Sequence, residues 1–253
     1  EEVFANDRSF AVIMNGTRSI KTWGKKSGGG DSSSVSGALD AGGFITVFSS
    51  VYAFCAERRS SGTASLVCWG NGMGDNGIIR TTSYTTVFSN RYAFVGMQAS
   101  GAIEAWGSSS YGGALPQSIA SVQSVTRVFS TMYAFAALLT DGSLLCWGRD
   151  VYGGACNKDP SVRDLVKADV RFVAASYSAM VAVKENGKAV AWGDTTYGAR
   201  ISAVEDELYG IVSIESGDRQ FAALCEGGRV VQWSGCDPSW SDSGCKSHNA
   251  GVV

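Results

Sequence analysis

Val128-Phe129-Ser130-Thr131-Met132-Tyr133-Ala134-Phe135-Ala136-Ala137-Leu138-Leu139-Thr140-Asp141-Gly142-Ser143-Leu144-Leu145-Cys146-Trp147-Gly148 is the stretch on which the fold turns. It reads V-F-S, three residues, an apolar run, a turn signal, a second apolar run and W-G. The same pattern recurs along the whole chain, and a fixed internal period is the signature of a repeat architecture. Tryptophans anchor it at Trp23, Trp69, Trp106, Trp147, Trp192 and Trp233. Upstream of them lie Val3, Val47, Val87, Val128, Val173 and Ile214, with Phe10, Phe54, Phe94, Phe135, Met180 and Phe221 in between. The first interval is 7 residues in all six copies; the second is 12 in four copies, 13 in the first and 15 in the second.

Each copy reads as short strands. Asn15-Gly16, Asp141-Gly142 and Asn186-Gly187 separate two apolar runs. Such dipeptides suit two-residue hairpins, whose turn needs positive φ. Runs such as Ala136 to Leu139 and Leu144 to Trp147 are apolar at successive positions, as expected of strands covered on both faces. Sheets stacked face to face in a β-propeller meet that condition. A tryptophan at the same place in every copy reads as a packing wedge between blades. Between each Trp and the next Val the chain holds a Gly-rich turn, then an outer strand or short helical turn. Ala203 to Leu208 is the best helical candidate.

The block Ala134 to Gly148, followed by Tyr152-Gly153-Gly154, resembles the RCC1 repeat, with its apolar core, Asp-Gly turn, Trp-Gly and Tyr-Gly turn. Its short copies are also similar to those of β-lactamase inhibitor protein II and of large microbial surface proteins. The resemblance covers essentially the whole chain. It implies an all-β fold: a single β-propeller over 1-253 of about six RCC1-like blades, or seven if sequence is missing. The blades fall at about 3-46, 47-86, 87-127, 128-172, 173-213 and 214-253. The chain departs from the family in two places. Tyr92 and Tyr133 stand where RCC1 repeats commonly carry His, and the last Trp-Gly is Trp233-Ser234. No functional residue of the exchange factor or the lactamase inhibitor maps onto the chain.

Composition narrows the function. Lys plus Arg is 21 and Asp plus Glu is 23, a net charge of −2, so no global field attracts nucleic acid. No apolar run approaches the roughly 18 residues of a membrane span. A secreted form would have lost its signal ahead of Glu1. The one histidine, His248, stands near Asp242, Cys236 and Cys245, but the segment lacks a nucleophile elbow and a fourth zinc ligand. A Cys236–Cys245 disulfide is the expected use of that pair. Gly72-Met73-Gly74-Asp75-Asn76-Gly77 lacks the following helix that a dinucleotide site requires and reads as a blade turn. Lys25-Lys26 and Arg58-Arg59 read as solvated loop charges. No catalytic, cofactor or metal residue is expected.

Seven cysteines leave at least one thiol unpaired within the chain. With a two-residue Asp141-Gly142 turn as the template, Cys68 faces Ala56 and Cys55 faces Trp69. The two sulfurs then point to opposite sides and cannot bond. Asn15-Gly16-Thr17 is the only N-glycosylation sequon and falls on a hairpin turn. The expected function is a non-enzymatic protein-interaction or assembly module, extracellular or on a cell surface, with one subunit of a larger assembly or filament as its favoured form, that binds a protein partner or itself. Two alternatives stay open. One is a cytoplasmic or nuclear regulator binding a GTPase or chromatin. The other is a carbohydrate-binding propeller using Tyr111, Tyr152 and Tyr197, which recur just before Gly.

Overall fold

The structure, a computed structural model, describes all residues except 61–62, 74–77, 236–249 and 252–253. Its described residues form six antiparallel sheets, one per repeat, with β-propeller connectivity. Packing groups them into two compact units, Glu1–Gln123 and Ser124–Val253.

The first unit holds three sheets. These are β1 (Glu2–Ala5), β2 (Ser9–Ile13) and β3 (Ile20–Gly24); then β4 (Phe44–Ser49), β5 (Ala53–Ser60), β6 (Thr63–Gly70) and β7 (Ile78–Arg80); then β8 (Thr86–Ser89), β9 (Ala93–Met97) and β10 (Ile103–Gly107). The second unit holds three more. They are β11 (Val125–Ser130), β12 (Ala134–Leu139) and β13 (Leu144–Gly148); β14 (Val170–Ala175), β15 (Ala179–Lys184) and β16 (Ala189–Gly193); and β17 (Ile211–Ser216), β18 (Gln220–Cys225), β19 (Arg229–Ser234) and β20 (Ala250–Gly251).

In each sheet the middle strand carries the Phe or Met position and the third carries the Trp. β12 is buried at every position, and β15 at all but its last, which explains their unbroken apolar sequence. Short helices fill the space beside the sheets: α1 (Ser36–Asp40) buries Leu39, α2 (Gln117–Ala120) buries Ile119, and α3 (Pro160–Arg163) buries Val162. Asp159 caps α3 by accepting from Ser161 N. The helix anticipated over Ala203 to Leu208 is shorter, a single 3-10 turn at Glu205–Glu207. An outer strand follows the Trp strand in only two described sheets, as β7 and β20.

The hairpin reading needs correction. Gly142 N donates to Leu139 O at 3.0 Å and Leu139 N to Ser143 O at 2.9 Å, which encloses three residues, Thr140-Asp141-Gly142. Gly142 has φ +76°, so the loop is a type I turn closed by a left-handed glycine rather than a two-residue turn. The extra residue moves the register by one. Phe135 therefore faces Trp147, and Ala136 faces Cys146. The same loop closes at Glu185-Asn186-Gly187, where Gly187 N donates to Lys184 O and Lys184 N to Lys188 O.

Cys55 and Cys68 are corrected with it. They lie directly opposite and form a disulfide. The additional residues of the second copy do not stay in the turn but extend the ladder, which pairs out to Ser60 and Thr63. The equivalent fourth-copy cysteine, Cys146, instead bonds Cys156 in the following turn. Cys225 is a free, buried thiol, and burial raises its pKa. Cys236, Cys245 and His248 lie outside the described residues.

The glycine of Trp-Gly is a backbone requirement. Gly148 has φ +104°, and a Cβ there would meet Ala134 Cα and Tyr133 O at 2.8 Å. Gly148→Ala is expected to cost about 3 kcal/mol or more, combining backbone strain with a backbone clash. Gly16→Ala, at φ +79° in open space, should cost only about 1 kcal/mol. Urea unfolding of the two variants checks the order, and equal losses would contradict this account.

Candidate interaction surface

The one-residue register puts each repeat's Trp opposite its Phe or Met: Phe10 with Trp23, Phe54 with Trp69, Phe94 with Trp106, Phe135 with Trp147, Met180 with Trp192 and Phe221 with Trp233. Phe54 and Trp69 stack at 5.5 Å, Phe135 and Trp147 at 5.4 Å. These pairs receive the Gly-rich turn of the preceding copy. Trp69 Nε1 donates to Gly29 O at 2.9 Å, Trp192 Nε1 to Gly153 O at 2.9 Å, and Trp233 Nε1 to Gly198 O at 3.0 Å. A Cβ on Gly198 would lie 2.8 Å from the Phe221 ring, so only glycine lets the turn sit down on it. Trp106 donates instead to Cys55 Sγ at 3.3 Å. Trp23 differs from the rest: it is 47% exposed, whereas the other five are 5% or less.

The ends of the sheets opposite the hairpins carry tyrosines. In the second unit they form a connected chain. Tyr152 packs on Tyr133 at 4.9 Å, Tyr133 meets Tyr177 edge-on at 6.0 Å, and Tyr177 stacks on Tyr197 at 5.3 Å. Arg149 lies over Tyr152 at 5.1 Å and Arg219 over Tyr197 at 4.9 Å, so a guanidinium closes each end. In the first unit Tyr52 stacks on Tyr92 at 4.9 Å and Tyr92 on Tyr111 at 4.8 Å. Arg8 and Arg91 both lie over the Tyr52 ring, at 4.6 and 5.0 Å.

In the third, fourth and fifth copies one residue holds these columns. Thr131 Oγ1 accepts from Ala134 N at 3.1 Å, shaping the loop, and donates to Tyr152 O at 2.8 Å. Asn90 accepts from Tyr92 N and Ala93 N and donates to Tyr111 O at 2.7 Å; Ser176 donates to Tyr197 O at 2.8 Å. Tyr111, Tyr152 and Tyr197 recur visibly in the sequence; their partners Tyr92, Tyr133 and Tyr177 emerge only in the structure. A signal was available. Tyr92 and Tyr133 each precede their partner by 19 residues, and Tyr177 precedes Tyr197 by 20. The position two before the Phe or Met is Arg8, Tyr52, Tyr92, Tyr133, Ser178 and Arg219, so arginine replaces tyrosine in the first and last copies.

Other sequence candidates stand apart from these columns. Asn15 is exposed on the first hairpin loop. Lys26 lines a cavity of about 510 Å³ with Asp31, Ser33 and Asn71; Asp31 has its pKa lowered to about 2 by hydrogen bonds from Ser33. A second cavity, of about 290 Å³, is lined by Lys188, Glu205, Asp206 and Tyr209. Neither lining contains histidine or cysteine. Among the described residues no three His, Cys, Asp or Glu are grouped to hold a metal ion, and no helix is long and apolar enough to cross a membrane.

Six such sheets, with Trp wedges and Tyr-Gly turns, define an RCC1-like propeller fold. Two solved structures share it at low identity. The ectodomain of the Physcomitrella patens receptor kinase CR4 aligns with a TM-score of 0.52 at 16% identity, over 93% of this chain and 61% of that one. Prp20p from Saccharomyces cerevisiae aligns with a TM-score of 0.50 at 13% identity, over 92% of this chain and 71% of that one. The chain thus spans about three fifths of the length of the ectodomain it matches. No family model matches the chain. No curated protein matches it either.

Arg91 donates to Tyr52 Oη, and this contact is the first cause of a lowered Tyr52 pKa. In an ultraviolet titration Tyr52 is expected to ionise below the usual tyrosine value, and Arg91→Gln should reduce the shift, with Arg8 and Tyr92 still favouring the phenolate. An unchanged profile in that variant would contradict the contact.

Proposed function

We propose that this chain is a non-enzymatic protein-interaction module of the extracellular space or a cell surface, and that it engages a protein through the Arg-capped tyrosine column. The observation that carries the reading is the column Arg149–Tyr152–Tyr133–Tyr177–Tyr197–Arg219. Tyrosine and arginine are the residues that most often anchor protein interfaces, because they combine a large apolar body with directed polar groups. Here the rings are fixed before a partner arrives, which lowers the entropic cost of binding. The ring faces are engaged by one another and by guanidiniums. That argues against the sugar-platform reading, which needs a free face.

Two disulfides, Cys55–Cys68 and Cys146–Cys156, support an oxidising compartment. The CR4 match is itself a receptor ectodomain, whereas Prp20p is described with binding properties to Gsp1p and histones. The near-neutral net charge of −2 and the disulfides weigh toward the first setting.

The test is cross-linking mass spectrometry of the immobilised protein with secreted and surface proteins of its source. Cross-links are expected around Arg149 and Arg219. An Arg149→Glu/Arg219→Glu variant with unchanged circular dichroism should bind the captured partner at least about tenfold more weakly. Equal binding by that variant would sink the proposed surface. The setting has its own test. Passage through a eukaryotic secretory pathway should add a glycan at Asn15, seen as a mass removed by peptide-N-glycosidase and absent from Asn15→Gln. Secreted wild-type protein without that mass would count against the site.

A further inference from the structure

In two sheets a fourth strand covers the outer edge of the Trp strand. β7 pairs with β6, setting Leu66 opposite Arg80, Val67 opposite Ile79 and Cys68 opposite Ile78, and β20 pairs with β19. The fourth sheet covers the same edge with a side chain. Asn157 Nδ2 donates to Leu144 O at 2.8 Å, and its Oδ1 accepts from Cys146 N at 2.7 Å, so the carboxamide takes the place of a peptide group. Leu66 and Leu144 each stand three residues before their Trp, Cys68 and Cys146 one before.

The fifth sheet leaves these positions open. They are Ala189 and Ala191, three and one before Trp192. Lys184 N donates to Lys188 O, which starts the ladder on a hydrogen-bonded pair. Such pairs alternate with non-bonded ones along antiparallel strands. Val190 and Trp192 therefore bond inward to β15, and Ala189 and Ala191 turn N–H and C=O to the outer edge. No described residue bonds to those outward groups. The cavity of about 290 Å³ lies there instead, lined by Lys188 and Ala189 together with Ile201, Glu205, Asp206 and Tyr209. An edge of unpaired backbone groups is a template for one more strand.

The covered edge of the second sheet shows what chemistry fits. Opposite the residue three before Trp69 stands Arg80, whose guanidinium donates to Glu104 of the next sheet at 2.8 Å. The same place in the fifth sheet is opposite Ala189, where Glu205 and Asp206 line the cavity. Carboxylates again stand beside the position that a basic side chain would take.

We infer that β16 accepts an extended segment of a partner protein as an antiparallel fourth strand, with apolar residues opposite Ala191 and Val190 and a basic residue opposite Ala189, facing Glu205 and Asp206. Strand addition of this kind draws affinity from main-chain hydrogen bonds and specificity from alternate side chains. It uses no residue of the Arg-capped tyrosine column, so failure of either surface leaves the other standing.

The probe is a fluorescein-labelled peptide with the sequence of residues 78–82, Ile-Ile-Arg-Thr-Thr, added to the full chain. Fluorescence anisotropy should report saturable binding. Hydrogen exchange should show the Ala189 and Ala191 amides protected only when the peptide is present. N-methylation of the peptide's arginine should weaken binding about tenfold, as expected for a lost edge hydrogen bond. N-methylation of its second isoleucine, whose N–H faces away, should leave binding unchanged. Replacing the arginine by glutamate, or combining Glu205→Gln with Asp206→Asn in the protein, should also weaken it. Ala191→Pro removes an outward N–H that the sheet does not use, so circular dichroism should stay the same while binding falls. No binding at roughly millimolar peptide overturns the inference. So does binding indifferent to the site of N-methylation. Ala189 and Ala191 amides already protected without peptide would show the edge covered by this chain or a copy of it, and would overturn the partner assignment.

Discussion

The structure depends on one joint: an indole N–H donating to the carbonyl of a glycine in the preceding copy's turn, as Trp192 does to Gly153 and Trp233 to Gly198. A buried indole with an unsatisfied N–H would cost about 1–3 kcal/mol, so the partner must arrive with the packing. The partner is a backbone carbonyl because the turn lies flat on the aromatic pair, and it lies flat because the turn residue has no Cβ. Trp and Gly are thus two halves of one contact, although they occur in different copies. The pairing explains why both recur together.

The joint also organises the surface. In the Trp192 and Trp233 joints the glycine that supplies the carbonyl follows a tyrosine, and the residue that shapes the neighbouring loop grips that tyrosine's own carbonyl, as Thr131 does for Tyr152 and Ser176 for Tyr197. Packing and display are therefore coupled. Seating the glycine fixes the backbone from which Tyr152 and Tyr197 project, and the loop tyrosines Tyr133 and Tyr177 close against them. In the second unit Arg149 and Arg219 end the aromatic column with charge, and in the first unit Arg8 and Arg91 do the same over Tyr52.

The blade period, the Phe–Trp spacing and the strand character of each run are legible in the residues, because a repeat announces itself by its interval and two-sided burial by continuous apolar sequence. The sequence does not fix the hairpin loop, because Asp141-Gly142 serves two turn types equally well. In a two-residue loop the dipeptide is the whole turn; in the observed loop Gly142 follows a turn built on Thr140 and Asp141. Local chemistry does not separate the two. What separates them is the partner across the ladder: only the three-residue loop sets Phe135 opposite Trp147, on the face that receives the next sheet. Cys55 and Cys68 follow the same shift, and they bond because a one-residue change moves a side chain to the other face.

By itself, then, the sequence determined the class of fold, the number of recognisable repeats and the places where only glycine serves, since periodicity, apolar continuity and positive φ are local properties. Tertiary structure alone decided the register, both disulfides, the tyrosine columns and the different fate of Trp23. Each of these depends on which residue stands across a gap from which other. That is a property of sheets laid against one another, and no window of neighbouring residues contains it.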